Sequence, residues 1–372
     1  MTAARVGPAR VVVVGQLDRF ANSIKPVAVA EFLSARGHRV ELVDTYHLSR
    51  AGKHRRLPAP RLRQFLLYVV EAAAALNRRW RWGHRHLSYD LLVADTVLRA
   101  AILKRQLPFD SADLIIVETP YDAEALVGDG RATTLYDCPT PWADELFDEG
   151  RITLTQRNRL RRREIAVFEG VDHLAFHWST YAGYARKHYR ISGKNLTTLN
   201  FGCTVSPVRA TYAERPRIVY LGSLGSRFVD LPLLSRLSAQ AVIDVYGGPP
   251  PDPALGLNYR GYAAPEIVLD YQAGLITCTR DELRREGFSA KHLEYLAHGL
   301  PVLVPRWRRH LDLLRGSVPY DESDFADVVA SLADRDNWQR LSDEAYAEAG
   351  RRAWDQALLP LDGIVAAAVA AR

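Results

Sequence analysis

Three cysteines in 372 residues make a sparse and odd count. Cys138, Cys203 and Cys278 stand far apart and form no C-x-x-C. That excludes a disulfide framework and a cysteine zinc site, and predicts reduced thiols. No apolar run reaches the roughly 20 residues needed to cross a bilayer. The opening MTAARVGPARVVVVG lacks the charged, apolar and small-residue order of a signal peptide, so a cytoplasmic chain is expected. The loop after the first strand, GQLDRF, is not G-x-G-x-x-G, so a dinucleotide fingerprint is missing. No close internal repeat is visible.

Hydrophobic residues make up 48% and charged residues 25%, the balance of a globular chain. The length has room for two ordinary domains. Net charge is +6 and the basic residues cluster. Arg50 to His86 is rich in arginine with Glu71 as its only acid, and RNRLRRRE forms a second knot at 157–164. Such patches attract phosphorylated ligands, acidic lipids or nucleic acid. No nucleic-acid recognition motif accompanies them, so nucleic acid is not an expected partner. Within 61–82 an apolar stretch from Phe65 to Leu76 is flanked by arginines and tryptophans. This segment suits a peripheral contact at the inner face of a membrane, or a core helix with a basic flank.

The remaining chain alternates. ARVVVVG (9–15) is a short continuous apolar run ending in glycine, the pattern of a buried parallel strand. SIKPVAVAEFLSARG (23–37) has Val29, Phe32 and Leu33 at helical spacing and Gly37 as a stop. HRVELVD (38–44) returns as a strand. Further strands are expected at 112–120, 132–139 and 171–178. The alternation restarts with a strand and glycine at 215–224, a helix at 230–239, and strands at 241–249, 257–262, 273–279 and 300–305. The expectation is an α/β chain of two Rossmann-like domains. Residues 1–205 would form the first and 206–340 the second, with a C-terminal helix, 341–372, packing back across both. Ligands of open parallel sheets sit beyond the carboxyl ends of the strands, so a cleft between the domains is the expected site.

EGFSAKHLEYLAHGLPVLVP (286–305) is the most informative string. Ser289 is placed to N-cap a helix through its side chain. Leu293, Leu296 and Ala297 make its buried stripe, leaving Lys291 and Glu294 outside it. The free N–H groups of Ser289, Ala290 and Lys291 would form an anion site. A lysine in a first helical turn adds positive charge at the positive end, which makes sense if a diphosphate sits there. Glu294 could accept hydrogen bonds from ribose or sugar hydroxyls. Gly299 and Pro301 end the helix.

KHLEYLAHGLPVLV, with Glu286 and Glu294 spaced E-x7-E, resembles the donor-site helix of GT-B glycosyltransferases, where the text runs K-x-x-E-Y-L-A-x-G-x-P-V. IVYLGSLGSRFVDLPLLSRLS is similar to the first strand, glycine loop and helix of that superfamily's donor domain, and LTTLNFGC to its interdomain junction. The similarity covers most of residues 195–305, and the layout looks closest to family-4-like enzymes and the xanthan glucuronosyltransferase group. The resemblance implies transfer of a sugar from a nucleoside diphosphate sugar to a small-molecule or lipid-linked acceptor, without metal or other cofactor. A nucleotide-sugar epimerase and a silent nucleotide-sugar-binding protein are the alternatives on the same fold.

By that resemblance Gly222 and Ser223 approach the donor phosphates, with Arg227 as a cationic clamp. The family pattern has arginine where Ser223 stands here, so phosphate charge falls to Lys291, Arg227 or an arginine of the first domain. Gly247, with Gly248, would allow close approach of the donor, or form a turn. Tyr262 lies where such enzymes contact the base, and Glu286 would face the sugar. In the first domain, related chains read Y-D-x-x-D-x-W where this one has YDCPTPW, with Thr140 in place of the later aspartate. Asp137 and Asp144 are then the nearest carboxylates for a general base; the alternatives are a transfer that retains configuration with no dedicated base, or an acceptor as acidic as a thiol. Glu118, after a strand, and His177, in HWSTY, are further candidates. Asp18, Arg19, Asn22 and Lys25, in the loop after the first strand, could bind the acceptor. The D-x-D of DRD (334–336) precedes a helix and is expected to cap it.

Overall fold

The computed structural model describes residues 7–17, 24–45, 66, 69, 89–128, 130–191, 196–225, 228–287, 289–308 and 314–372. The chain forms two compact units, one of residues 1–200 and 358–372 and the other of residues 201–357. Asp18, Arg19, Asn22 and Arg227 fall outside the described residues, as does nearly all of 61–82.

The first unit is built on six parallel strands: β1 (Arg10–Gly15), β2 (Arg39–Asp44), β3 (Leu114–Val117), β4 (Thr133–Cys138), β5 (His173–Phe176) and β6 (Leu196–Thr198). They stand in the order β2-β1-β3-β4-β5-β6. Val11 to Val14 and Leu114 to Val117 are fully buried, which is why both read as unbroken apolar runs. Helix Ile24–Ala35 buries Val29, Phe32 and Leu33, and Gly37, at φ 86°, follows its end. Helix Pro360–Ala370 also belongs to this unit; its Asp362 pairs with Arg36 at 2.8 Å.

The second unit repeats the scheme with β7 (Ile218–Leu221), β8 (Ile243–Tyr246), β9 (Asn258–Tyr259), β10 (Ala273–Leu275), β11 (Val302–Pro305) and β12 (Ser317–Tyr320). The order β12-β11-β10-β7-β8-β9 is that of a dinucleotide-binding Rossmann sheet. Two strands, β6 and β12, were not expected. Both are short edge strands, largely half-buried, so neither carries an apolar run, and β12 holds Pro319, a residue suited to a sheet edge.

Helix Ala290–Ala297 is seated on this sheet by a single aromatic side chain. Tyr295 is fully buried; its hydroxyl accepts the Leu221 N–H at 2.8 Å, at the end of β7. Its ring lies over Gly274 of β10, where an added Cβ would come within 2.3 Å of it. The register of the helix on the sheet therefore depends on residue 274 having no side chain. Helix Arg335–Arg351 belongs to the same unit, and its Trp338 Nε1 donates to the Gln272 carbonyl at 2.8 Å. Asp334 caps it by accepting the Asn337 N–H at 2.7 Å, the role expected of DRD.

Gly274→Ala should push Tyr295 off the sheet and cost about 1–3 kcal/mol. A urea titration of the variant against the native chain measures this, and an unchanged midpoint would show that Tyr295 does not fix the helix.

Candidate functional site

The chain leaves β7 toward β8 and β9 on one side, then returns to β10 on the other. A crevice opens at such a reversal, outside the carboxyl ends of the two strands. A pocket of about 220 Å³ lies there. Ser223, after β7, and Thr277 and Cys278, after β10, line it together with Ser289, Lys291 and Arg308. No carboxylate lines it among the described residues.

Three glycines shape the wall on the β7 side. Gly222 has φ 153°, Gly247 98° and Gly248 72°. A Cβ on Gly247 would lie 2.8 Å from the Gly222 carbonyl oxygen, and one on Gly248 would lie 2.8 Å from the Leu224 nitrogen. The close approach these glycines permit is between two loops of the chain itself. At Gly222 the neighbour is different: a Cβ there would meet Lys291 Nζ at 2.5 Å. Lys291 reaches from the first turn of its helix to this loop. Its ammonium donates to the Tyr220 hydroxyl at 3.0 Å and stands 4.2 Å from that ring's centre.

Ser289 occupies the N-cap position, but its side chain makes no capping hydrogen bond, contrary to the sequence expectation. Its carbonyl accepts the His292 N–H at 2.9 Å, and the residue lines the pocket. The side chain thus leaves the first-turn N–H groups to other partners. Ala290 is half-buried at the helix start. Glu294 is half-buried one turn on; burial raises its carboxyl above the ordinary carboxylate range, and Lys291 and His298 oppose the rise. Glu286 ends helix Glu282–Glu286, and neither acid lines the pocket. Tyr262 is 83% exposed and does not line it either.

Arg308 was missed in the sequence. It is 5% exposed, lines the pocket and donates to the Gly287 carbonyl. Its Nε has no hydrogen-bond partner among the described residues, and neither does the buried Thr277 hydroxyl. A strand followed by arginines, PRWRRH, was the only signal. Nothing in it separates Arg308 from Arg306, which pairs with Asp321 and Asp324 at the surface.

In the first unit the candidate carboxylates part ways. Asp144 is buried in an ion pair with Arg161, has Arg157 at 3.8 Å, and accepts the Tyr184 hydroxyl at 3.0 Å. All of its capacity is spent locally. Asp137 is 2.7 Å from Lys25 Nζ and 3.4 Å from His177 Nε2. Lys25, expected to face an acceptor, points inward instead and also donates to the Leu199 carbonyl at 2.6 Å. Burial acts to raise the Asp137 carboxyl, but Lys25 and His177 outweigh it and hold it below the usual range. For Glu118, burial and then the Asp137 charge push the carboxyl well above the usual range, and Lys25 opposes them only in part. The two neighbouring carboxyls are thus pushed in opposite directions. Glu164 was not singled out in the sequence. Its carboxylate accepts the Trp142 and Ala143 N–H groups at 2.7 and 2.9 Å and so caps helix Trp142–Asp148. No group of histidines, cysteines and acids suited to a metal ion occurs among the described residues.

No family model matches the chain, and no curated protein matches it by sequence. Solved structures do. Sucrose-phosphate synthase from Thermosynechococcus elongatus superposes with a TM-score of 0.69 over 98% of this chain and 100% of its own, at 13% identity. A glycosyltransferase from Rickettsia africae gives 0.59 over 98% and 99%, at 11% identity. The pneumococcal O-GlcNAc transferase, solved with UDP and GlcNAc, gives 0.54 over 74% of this chain and 60% of its own, at 14% identity. The fold is thus the GT-B fold of glycosyltransferases.

Burial raises Glu164 from 4.5 to about 7, against its two backbone donors and Tyr189. The folded chain then holds a proton that the unfolded chain releases above pH 4.5. This carboxyl's contribution to stability is full below 4.5 and declines as pH rises toward about 7. Thermal midpoints measured across that window should fall less steeply for Glu164→Gln than for the native chain.

Proposed function

We propose that this protein is a glycosyltransferase that moves a sugar from a nucleoside diphosphate sugar, held by the second unit, to an acceptor held by the first. The observation that carries this is Lys291: an ammonium in the first turn of a helix, on a basic pocket at the sheet's reversal point that no carboxylate lines among the described residues. The helix end and the ammonium are both positive and lie close together, an arrangement that a bound anion relieves. A diphosphate accepts from the first-turn N–H groups and from Lys291 at once, while Gly222 and Ser223 let the backbone come near it. The same donors stabilise the charge that builds on the diphosphate as the bond to the sugar breaks. The pneumococcal relative, solved with UDP, supports a nucleotide at this kind of fold. The acceptor is a small molecule or a lipid-linked sugar. No described helix is long and apolar enough to cross a membrane.

Thermal shifts with UDP, GDP and dTDP and their sugars should identify a stabilising nucleotide. Lys291→Ala removes one charge-assisted contact, so affinity for that nucleotide should drop about 10- to 100-fold with the circular dichroism spectrum unchanged. Equal affinity of the variant for every donor would overturn the assignment. Binding without turnover would favour a silent binding protein, and a product still attached to the nucleotide would point to an epimerase.

A further inference from the structure

Arg308 follows β11 and lies 5% exposed on the pocket of the second unit. One of its N–H groups donates to the Gly287 carbonyl, just ahead of helix Ala290–Ala297, and this contact orients the planar guanidinium. Its Nε has no hydrogen-bond partner among the described residues. Thr277, after β10, lines the same pocket at 4% exposure, and its hydroxyl is also without one. Buried donors left unpaired are costly, and a charged one more so. Two of them on one pocket point to a ligand that accepts from both. Arg284, a further cation of the lining, lies over the Phe228 ring.

The surroundings define that ligand. No carboxylate lines the pocket among the described residues. Burial pushes the Cys278 thiol up, and Arg308, Arg284 and Lys291 pull it back, so these cations act on one volume. The volume is about 220 Å³. Sites that enclose a whole ligand run to roughly 300–1,000 Å³, so this one takes only part of a nucleotide sugar. Lys291 reaches the loop after β7, while Thr277 and Arg308 come from β10 and β11 on the other side of the crevice. In sheets of this order the ribose is read at the end of the second strand, here β8, and its phosphate at the turn after the first, here β7. The next phosphate then falls toward β10 and β11.

We propose that Arg308 and Thr277 hold the sugar-bearing phosphate of the donor, while Lys291 holds the phosphate next to the nucleoside. The proposal rests on the glycosyl-transfer reading. Arg308 Nε and the Thr277 hydroxyl donate to oxygens of that phosphate, and each phosphate's negative charge meets one cation. Because Arg308 is also tied to Gly287, the same contact steadies the loop ahead of the helix that carries Lys291.

The test compares nucleotides that differ by the phosphate in question. UMP, GMP and dTMP, and UDP, GDP and dTDP, are titrated calorimetrically into the native chain, and the base that binds is carried forward. Arg308→Ala should weaken the diphosphate about 10- to 100-fold and the monophosphate by less than about threefold. Thr277→Val keeps the shape and removes only the hydroxyl, so it covers the case in which Arg308→Ala fails to fold. It should show the same split at about two- to tenfold. Since it deletes an unpaired donor, the thermal midpoint of the free chain should not fall. Lys291→Ala should weaken both nucleotides. Equal losses for mono- and diphosphate in the Arg308 and Thr277 variants, or no loss with either, would overturn the assignment while leaving the donor reading intact. So would a loss confined to UDP-glucose, GDP-mannose or dTDP-glucose, which would put Arg308 on the sugar. A native chain that binds none of these nucleotides would overturn both.

Discussion

The second unit is organised around a charge placed where a bare helix would not tolerate it. Lys291 sits in the first turn of helix Ala290–Ala297, at the end where the backbone dipole is already positive. Three features hold it there. The Tyr220 hydroxyl accepts from the ammonium, the Tyr220 ring lies beneath it, and the missing side chain of Gly222 gives it room. None of these neutralises it. Arg308, buried on the same pocket, is likewise without a carboxylate partner among the described residues. A basic pocket lined by no carboxylate among the described residues favours a ligand that carries negative charge.

The placement of that lysine depends in turn on packing at the sheet. Tyr295 joins the helix to β7 through the Leu221 N–H and to β10 through the bare backbone of Gly274. β7 and β10 are the two strands between which the chain reverses direction, so one side chain fixes the helix end to the place where a crevice must open. The loops after β7 and β8 close on each other through Gly222, Gly247 and Gly248. A backbone wall results, and backbone N–H groups can approach a phosphate more closely than side chains allow.

The first unit uses charge in the opposite way. There several buried or half-buried cations have their anions: Lys25 with Asp137, Arg161 with Asp144, Arg163 with Glu124. Isolated carboxylates are costly to bury: burial pushes the Glu118 carboxyl up, and Glu164 accepts two backbone N–H groups. The described lining of the second unit's pocket is thus basic, while Lys25 and Asp137 of the first unit offset each other.

Much of the fold was legible because the local signals are strong. VVVV, LIIV and VLV are short apolar runs of buried-strand length, and Gly37 and Gly299 stop helices because positive φ suits glycine. Lys291 and Glu294 were legible because a 3.6-residue period places them off the buried stripe. Other features depend on distance in space and leave no trace in the string. Arg308 and Arg306 are two residues apart in the same arginine-rich run, yet one is buried at the pocket and the other is paired at the surface. Asp137, Asp144 and Glu118 look alike as acids near strand ends. Only the partners brought to them from Lys25, His177, Arg157 and Arg161, up to 112 residues away in the case of Lys25 and Asp137 (137 minus 25), decide which is ionised and which is spent. Periodicity and backbone preference are properties of neighbours along the chain, so the sequence by itself determined the alternating strands and helices and the place of Lys291 in the first turn of its helix. Burial and charge pairing are properties of neighbours across it, and only the tertiary structure decided them.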